Sequence, residues 1–439
     1  MKILSIETSC DETGIAIIEA DGGFEAPQFE VLANNTISQI NIHTQYGGVF
    51  PALAKREHQK NLPFIFEKTL KDSGLWKEKQ KPYNLYSNIR TNIRIKIVRW
   101  KLRKLLAKDI GLFDSSINLL LSLEKPNVDC IAVTYGPGLE PALWVGINFA
   151  KTLNFLWGIP VIPVNHMEGH ILSVLLKQNG GNSKSETRNP RLPDRQAKQI
   201  QNLNTKIQFP ALALLISGGH TELVYIENWQ KYKLLGETRD DAVGEAFDKV
   251  ARILGLPYPG GPEISRLAKN GVQNEKIKLP RPMINTDDFS FSFSGIKTAA
   301  LYLSRDLEKE HFNIFKNVKM NNDDANLPVY KMSDQTKADF AREFETAVTD
   351  VLLKKTFKAI DQFEVKTLIV SGGVSANTYI KEKFEERIAR ERPEIALLFP
   401  TQELATDNAL MIAVAGYFDA LAGKSKSPEK IRAFGNLKL

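Results

Sequence analysis

Lys2-Ile3-Leu4-Ser5-Ile6-Glu7, then Thr8-Ser9-Cys10-Asp11-Glu12-Thr13, then Gly14-Ile15-Ala16-Ile17-Ile18 is an apolar run, a polar turn and a second apolar run. Two such runs joined by a short polar stretch predict an antiparallel hairpin. The pattern returns in the second half of the chain. There Leu212-Ala213-Leu214-Leu215-Ile216 is followed by the turn Ser217-Gly218-Gly219-His220-Thr221 and the return run Glu222-Leu223-Val224-Tyr225. A second motif also occurs twice. Asp129–Thr134 runs into Tyr135-Gly136-Pro137-Gly138-Leu139 and a helix through Ala150. Lys366–Val370 runs into Ser371-Gly372-Gly373-Val374-Ser375-Ala376-Asn377 and a helix through Arg387. One hairpin and one strand, glycine turn and helix per half predict a duplicated α/β domain with a ligand in the cleft between two lobes.

At 439 residues the chain is long enough for two domains. The expected boundaries are 1–208 and 209–424, with a helix at about 406–423 able to pack back on the first lobe and a lysine-rich, poorly ordered tail over 425–439. Three stretches read as insertions: a basic segment at 77–116 between helices at 59–73 and 117–124, a polar loop at 178–208, and an excursion at 305–333. An acidic residue as early as Glu7 and the lack of a small-residue cleavage site argue against a signal peptide. No apolar run approaches the roughly 18 residues of a membrane span. The two cysteines, Cys10 and Cys130, are far apart and without C-x-x-C spacing, which argues against a disulfide framework and a cysteine zinc site and fits a reducing cytosol.

The net charge of +7 is local in origin. From Lys79 to Lys108 the chain carries ten basic residues and no acidic one, interleaved with Tyr83, Tyr86 and Trp100. Cations with aromatics suit phosphate backbones and unpaired bases. A solvated amphipathic helix fits equally, because Ile95, Val98, Leu102 and Leu105 fall near helical spacing.

His166-Met167-Glu168-Gly169-His170 is the sharpest local signal for chemistry. Histidines at i and i+4 share one helical face and suit one metal ion, although the same spacing also occurs in plain core or surface pairs. Glu168 is turned roughly 200° from His166, so the segment is not the H-E-x-x-H of zinc proteases. The preceding apolar run Ile159–Val164 delivers the pair from a strand end, where α/β enzymes place their sites. Asp407, at the head of an apolar segment, is the best third ligand, and it fits a helix-start carboxylate as well. The turns Ser217-Gly218-Gly219 and Ser371-Gly372-Gly373, with Tyr258-Pro259-Gly260-Gly261-Pro262, let backbone approach an anion. Neither G-x-x-x-x-G-K-[ST] nor G-x-G-x-x-G occurs, so P-loop and dinucleotide-fold readings fail. Asp11 and Glu12 offer a catalytic carboxylate. Asp248, in the mostly apolar segment Ala242–Val250, could accept from a ribose hydroxyl, or belong to a charged face.

Taken together these blocks resemble the TsaD/Gcp family of tRNA adenosine threonylcarbamoyltransferases. The matching residues include Glu7–Thr13, Gly47-Gly48-Val49 with His58, Gly136–Leu139, Asn165–His170, Ile216–Thr221, Gly244–Lys249, Tyr258–Pro262, Phe291–Thr298, Ser371–Asn377 and Thr406-Asp407-Asn408. They span nearly the whole chain outside the three insertions. The resemblance implies an α/β fold of the actin/Hsp70/sugar-kinase (ASKHA) class with two RNase-H-like lobes. It implies transfer of a threonylcarbamoyl group from threonylcarbamoyl-AMP to the adenosine 3′ of the anticodon, in tRNAs reading codons that begin with A. Carried over by position, His166, His170 and Asp407 would hold one divalent metal per subunit, Fe(II) as usual in the family, with Zn(II) as the alternative. Leu215, Ile216, Ser217, Gly218, Gly219, Asp248, Gly261 and Asn377 would hold the adenylate. Asp11 would be the acidic residue near the reacting centre. TsaB- and TsaE-like proteins are the expected partners, in the cytoplasm and away from membranes. The basic segment 77–116 is the largest departure from the family pattern. Three competing readings are a metalloprotease, an ATPase or sugar kinase of the same scaffold, and a non-catalytic tRNA-binding protein.

Overall fold

The computed structural model describes residues 1–79, 85–176, 206–314 and 332–439. The chain divides into unit 1 (Met1–Asn41, Val49–Thr205 and Asp407–Leu439) and unit 2 (Ile42–Gly48 and Lys206–Thr406).

The first strands are β1 (Lys2–Glu7), β2 (Glu12–Asp21) and β3 (Gln28–Ser38). Helices α1 (Ile40–His43), α2 (Pro51–Asp72), α3 (Leu85–Leu105) and α4 (Ile110–Ser122) follow. Then come β4 (Cys130–Gly136), α5 (Glu140–Trp157), β5 (Val161–Asn165) and α6 (His166–Leu172). The unit 1 sheet runs β3-β2-β1-β4-β5, with β1, β2 and β3 antiparallel and β1, β4 and β5 parallel. Strand β4 and the edge strand β5 are nearly continuous apolar runs, buried along almost their whole length.

Unit 2 repeats the plan with β6 (Ala211–Ile216), β7 (Thr221–Asn228) and β8 (Lys231–Glu237). Helices α7 (Val243–Ile253), α8 (Gly260–Ala268), α9 (Ser294–Ile314) and α10 (Asp334–Phe363) lead to β9 (Thr367–Ser371). The unit then closes with α11 (Thr378–Glu391), β10 (Ala396–Leu398) and α12 (Gln402–Ala405). Its sheet order is β10-β9-β6-β7-β8, again three antiparallel strands followed by two parallel ones. Each unit is thus a five-stranded RNase-H-like sheet, the duplicated α/β architecture expected of the ASKHA class. No helix among the described residues is long and apolar enough to cross a membrane.

The last helix, α13 (Ala409–Leu421), belongs to unit 1 and packs on β1, β2, β5 and α6. It is buried from Ala409 to Asp419, as an almost wholly apolar helix must be. The tail is not loose, contrary to its lysine content. Ile431 is buried, the Phe434 amide donates to the Tyr135 carbonyl at 2.9 Å, and Gly138 donates to Gly435 at 3.0 Å. A few apolar residues and backbone bonds outweigh the solvated lysines.

The helix expected at 117–124 begins earlier, at Ile110, and 85–105 of the basic segment is helical. The excursion expected from 305 continues α9 to Ile314. Residues 80–84, 177–205 and 315–331, which include most of the expected polar loop, lie outside the described residues.

Candidate active site

Strand β5 ends in Asn165, whose side chain accepts from the amides of Met167 (2.8 Å) and Glu168 (3.3 Å). This N-cap starts α6 at His166 and puts His170 one turn on. Asn408 does the same for α13, accepting from Met411, and leaves Asp407 just ahead of that helix. Gly169 lets the two helices meet: a Cβ there would lie 3.1 Å from Ile412 Cδ1 and 3.2 Å from Met411 Cγ. The helices thereby bring Asp407 Oδ1 to 3.3 Å from His166 Nε2 and 3.1 Å from His170 Nε2.

The ligand atoms of His166, His170 and Asp407 all lie within 4.8 Å of one another. Donors bonded to one ion at 2.0–2.1 Å sit about 3.0–3.4 Å apart, so the two imidazole–carboxylate spacings fit a shared divalent metal. Two imidazoles and one carboxylate are also a donor set suited to iron or zinc. Glu168 is not among these donors; its charge acts on Tyr135 and Lys424 instead.

Glu7 is the residue that sequence reasoning left without a role. Fully buried at the end of β1, it accepts from the Ser9 amide at 2.6 Å and from the Thr134 hydroxyl, and faces His166 Nδ1 at 3.3 Å. Carboxylate pairing at the far nitrogen fixes the tautomer of a metal-facing imidazole. Burial pushes the His166 imidazolium down, yet Asp407 and Glu7 together outweigh it and raise its pKa to about 10. At His170 burial, aided by the charge of His166, outweighs the pull of Asp407 and Glu7, so its pKa is lowered. Burial alone would raise the Asp407 carboxyl, but the two histidines hold it well below the usual carboxylate range.

The turn after β1 carries Asp11, which is buried in unit 1. Its neighbour Glu12 has its carboxyl pushed up by burial and then by the charges of Asp407 and Asp11. His58, buried on α2, pins this turn: Nε2 faces the Cys10 carbonyl at 3.0 Å and Nδ1 faces the Thr13 hydroxyl at 2.8 Å. A neutral ring protonated on Nε2 satisfies both bonds.

The residues assigned to the adenylate lie in unit 2. Leu215 and Ile216 are core residues of β6, so only their backbones could face a ligand. In the following turn Ser217 bonds to His220 in both directions, through N to the carbonyl (2.9 Å) and through Oγ from the amide (3.1 Å). Around Gly218, Gly219, Gly261 and Gly373 a Cβ would meet nothing within 4 Å, so these turns border open space. Asp248 accepts from the Gly260 amide at 2.7 Å and so fixes the start of α8 beside Gly261. Asn377 caps α11, accepting from Ile380 at 3.0 Å, while its amide donates to Ser265 and to buried Glu345, both at 2.8 Å. A nucleotide using the Asn377 amide would therefore compete with Ser265 or Glu345.

Burial raises the Asp248 pKa to about 6, against the pull of the Gly260 amide and Arg252. Folded protein then binds more protons here than unfolded chain, whose aspartate titrates near about 3.9. The stability this group contributes is present below that value and lost as pH rises through about 6. An Asp248→Asn variant mimics the protonated form. Its urea midpoint is expected to match wild type near pH 4 and to exceed it above pH 6; equal midpoints at pH 7.5 would contradict this assignment.

The family model described as TsaD, tRNA N6-adenosine threonylcarbamoyltransferase, matches residues 30–80, 117–184 and 196–414. A tRNA N6-adenosine threonylcarbamoyltransferase of Thermosipho africanus is 38% identical over 439 residues, covering 100% of both chains. One of Persephonella marina is 38% identical over 420 residues, covering 95% of this chain and 90% of its own. Among solved structures, full-length HypF in a phosphate- and nucleotide-bound form aligns over 97% of this chain and 56% of its own, with 10% identity and a TM-score of 0.45. With a family match over most of its length and relatives this similar end to end, the chain belongs to the tRNA N6-adenosine threonylcarbamoyltransferase family.

Proposed function

We propose that this protein transfers the threonylcarbamoyl group of threonylcarbamoyl-AMP to the exocyclic amine of the adenosine 3′ of the anticodon, in tRNAs reading codons that begin with A. The carrying observation is the His166–His170–Asp407 cluster in a chain of this family. In the reaction the adenine nitrogen forms a bond to the carbamoyl carbon, the bond from that carbon to the phosphate oxygen breaks, AMP leaves, and the amine gives up a proton. A bound Fe(II) or Zn(II), held by His166, His170 and Asp407, would supply Lewis acidity and a template for the acyl group. Glu7 orients His166 for that purpose through Nδ1. Backbone amides at the open Ser217–Gly219 and Gly261 turns are suited to the adenylate phosphate, with Asp248 and Asn377 on its sugar side. Asp11, on the turn pinned by His58, is the carboxylate we assign to the proton or to orienting the attacking amine.

tRNA as substrate implies a cytoplasmic enzyme, and TsaB- and TsaE-like proteins are the partners we expect to support turnover. The test is reconstitution of purified protein with iron, synthetic threonylcarbamoyl-AMP and a tRNA transcript, scored by nucleoside mass spectrometry. Threonylcarbamoyladenosine is the expected product. Its absence, with partner proteins added, would reject the proposal.

A further inference from the structure

Helix α3 has two unlike sides. Leu102 and Leu106, the latter just past its last turn, are each 1% exposed, and α3 packs on α4 and α5. Arg99, on the same side, donates to the Asn118 side chain of α4. At 100° per residue the opposite side presents Ile93, Ile97, Trp100 and Lys104, with Lys96 and Arg103 on its flank, all of them exposed. Trp100 is 63% exposed, and the Lys104 ammonium lies 5.9 Å from its ring centroid.

An ordinary solvated helix mixes both signs of charge and keeps large apolar groups off the water side. This face does neither, since no acidic residue occurs from Lys79 to Lys108. The two packed leucines also decide which side of α3 is free. The family match stops at residue 80 and resumes at 117, so α3 lies outside the matched blocks.

We propose that the outward face of α3 docks tRNA, with Lys96, Arg103 and Lys104 neutralising phosphates and Trp100 stacking on an unpaired base. The inference rests on the reading that the substrate is a tRNA. Uncompensated cations set around an exposed indole match a polyanion that also offers π faces. A protein partner would need acidic groups in register with these cations, and that is left as a distinguishable outcome.

The experiment measures tRNA binding to the full-length protein by fluorescence anisotropy from about 50 to about 200 mM KCl. For the combined variant Lys96→Gln, Arg103→Gln, Lys104→Gln, the slope of log affinity against log salt is expected to fall by about 3. Its affinity at low salt should fall by tenfold or more. Trp100→Ala is expected to weaken binding about tenfold with the slope unchanged. AMP binding by calorimetry and circular dichroism should match wild type in both variants, because every altered side chain faces solvent. Wild-type affinity and slope in the triple variant would overturn the docking role while leaving the transferase reading intact. So would unchanged tRNA binding together with loss of a TsaB-like partner, which would assign the face to protein. Failure of the wild-type protein to bind or modify any tRNA would instead sink the transferase reading.

Discussion

Asp407→Asn is expected to leave a folded protein that retains no stoichiometric metal and forms no detectable threonylcarbamoyladenosine. The change keeps shape and volume but removes the charge between His166 Nε2 and His170 Nε2, at 3.3 and 3.1 Å. Both imidazoles are buried while the Asp407 side chain is 21% exposed, so water can reach the vacated position but brings no charge to hold the metal. Outer partners of a metal ligand typically account for 10–100-fold in affinity, and a direct anionic ligand is expected to account for more. Glu7→Gln provides the graded comparison. It should weaken metal binding by about 10–100-fold, with activity restored by excess iron, because Glu7 is not itself a ligand and acts on the metal through the tautomer and orientation of His166. The measurement pairs metal content by mass spectrometry with product formation. One metal per chain and wild-type transfer in the Asp407→Asn protein would remove the three-residue centre from the mechanism.

How much of this was legible beforehand follows from how local each signal is. The two hairpins are local alternations of apolar run and polar turn, and both units formed as their sequences read. The His166–His170 pair is likewise local, since one helical turn joins the two rings, whose centroids lie 4.7 Å apart. Asp407 stood out through its place ahead of an apolar helix, which α13 fulfils by packing on α6. Glu7 did not stand out. Its meaning depends on β1 and β5 both flanking β4, which brings a strand-end carboxylate beside the first residue of α6. Charge periodicity hides a buried glutamate whose partners are so distant in sequence. The tail failed for a related reason: lysine content describes solvent exposure, whereas Ile431 and the Phe434 and Gly435 backbone bonds decide where the chain goes. For the basic segment, composition supplied the cations, but only the burial of Leu102 and Leu106 shows which side is covered.

Gly372 and Gly373 are adjacent in sequence and are expected to fail in opposite ways when given a methyl group. Gly372 has φ +93° and ψ 162°, a region that essentially only glycine occupies. A Cβ there would sit 2.5 Å from the Ile216 carbonyl oxygen, on the backbone of neighbouring β6, which cannot swing aside as a side chain could. Strain at such a position costs about 1–3 kcal/mol and the overlap adds to it, so Gly372→Ala should destabilise unit 2 by roughly 3 kcal/mol or more. Urea unfolding should show this with or without ligand. At Gly373 no positive φ is recorded, and a Cβ would meet nothing within 4 Å. Gly373→Ala should therefore unfold at the wild-type urea concentration. If the open space beside this turn receives the adenylate, the same methyl intrudes on it, and AMP affinity measured by calorimetry should drop by tenfold or more. An unfolding midpoint unchanged in Gly372→Ala would refute the strain, and unchanged AMP binding in Gly373→Ala would take the Ser371–Gly373 turn out of the nucleotide site.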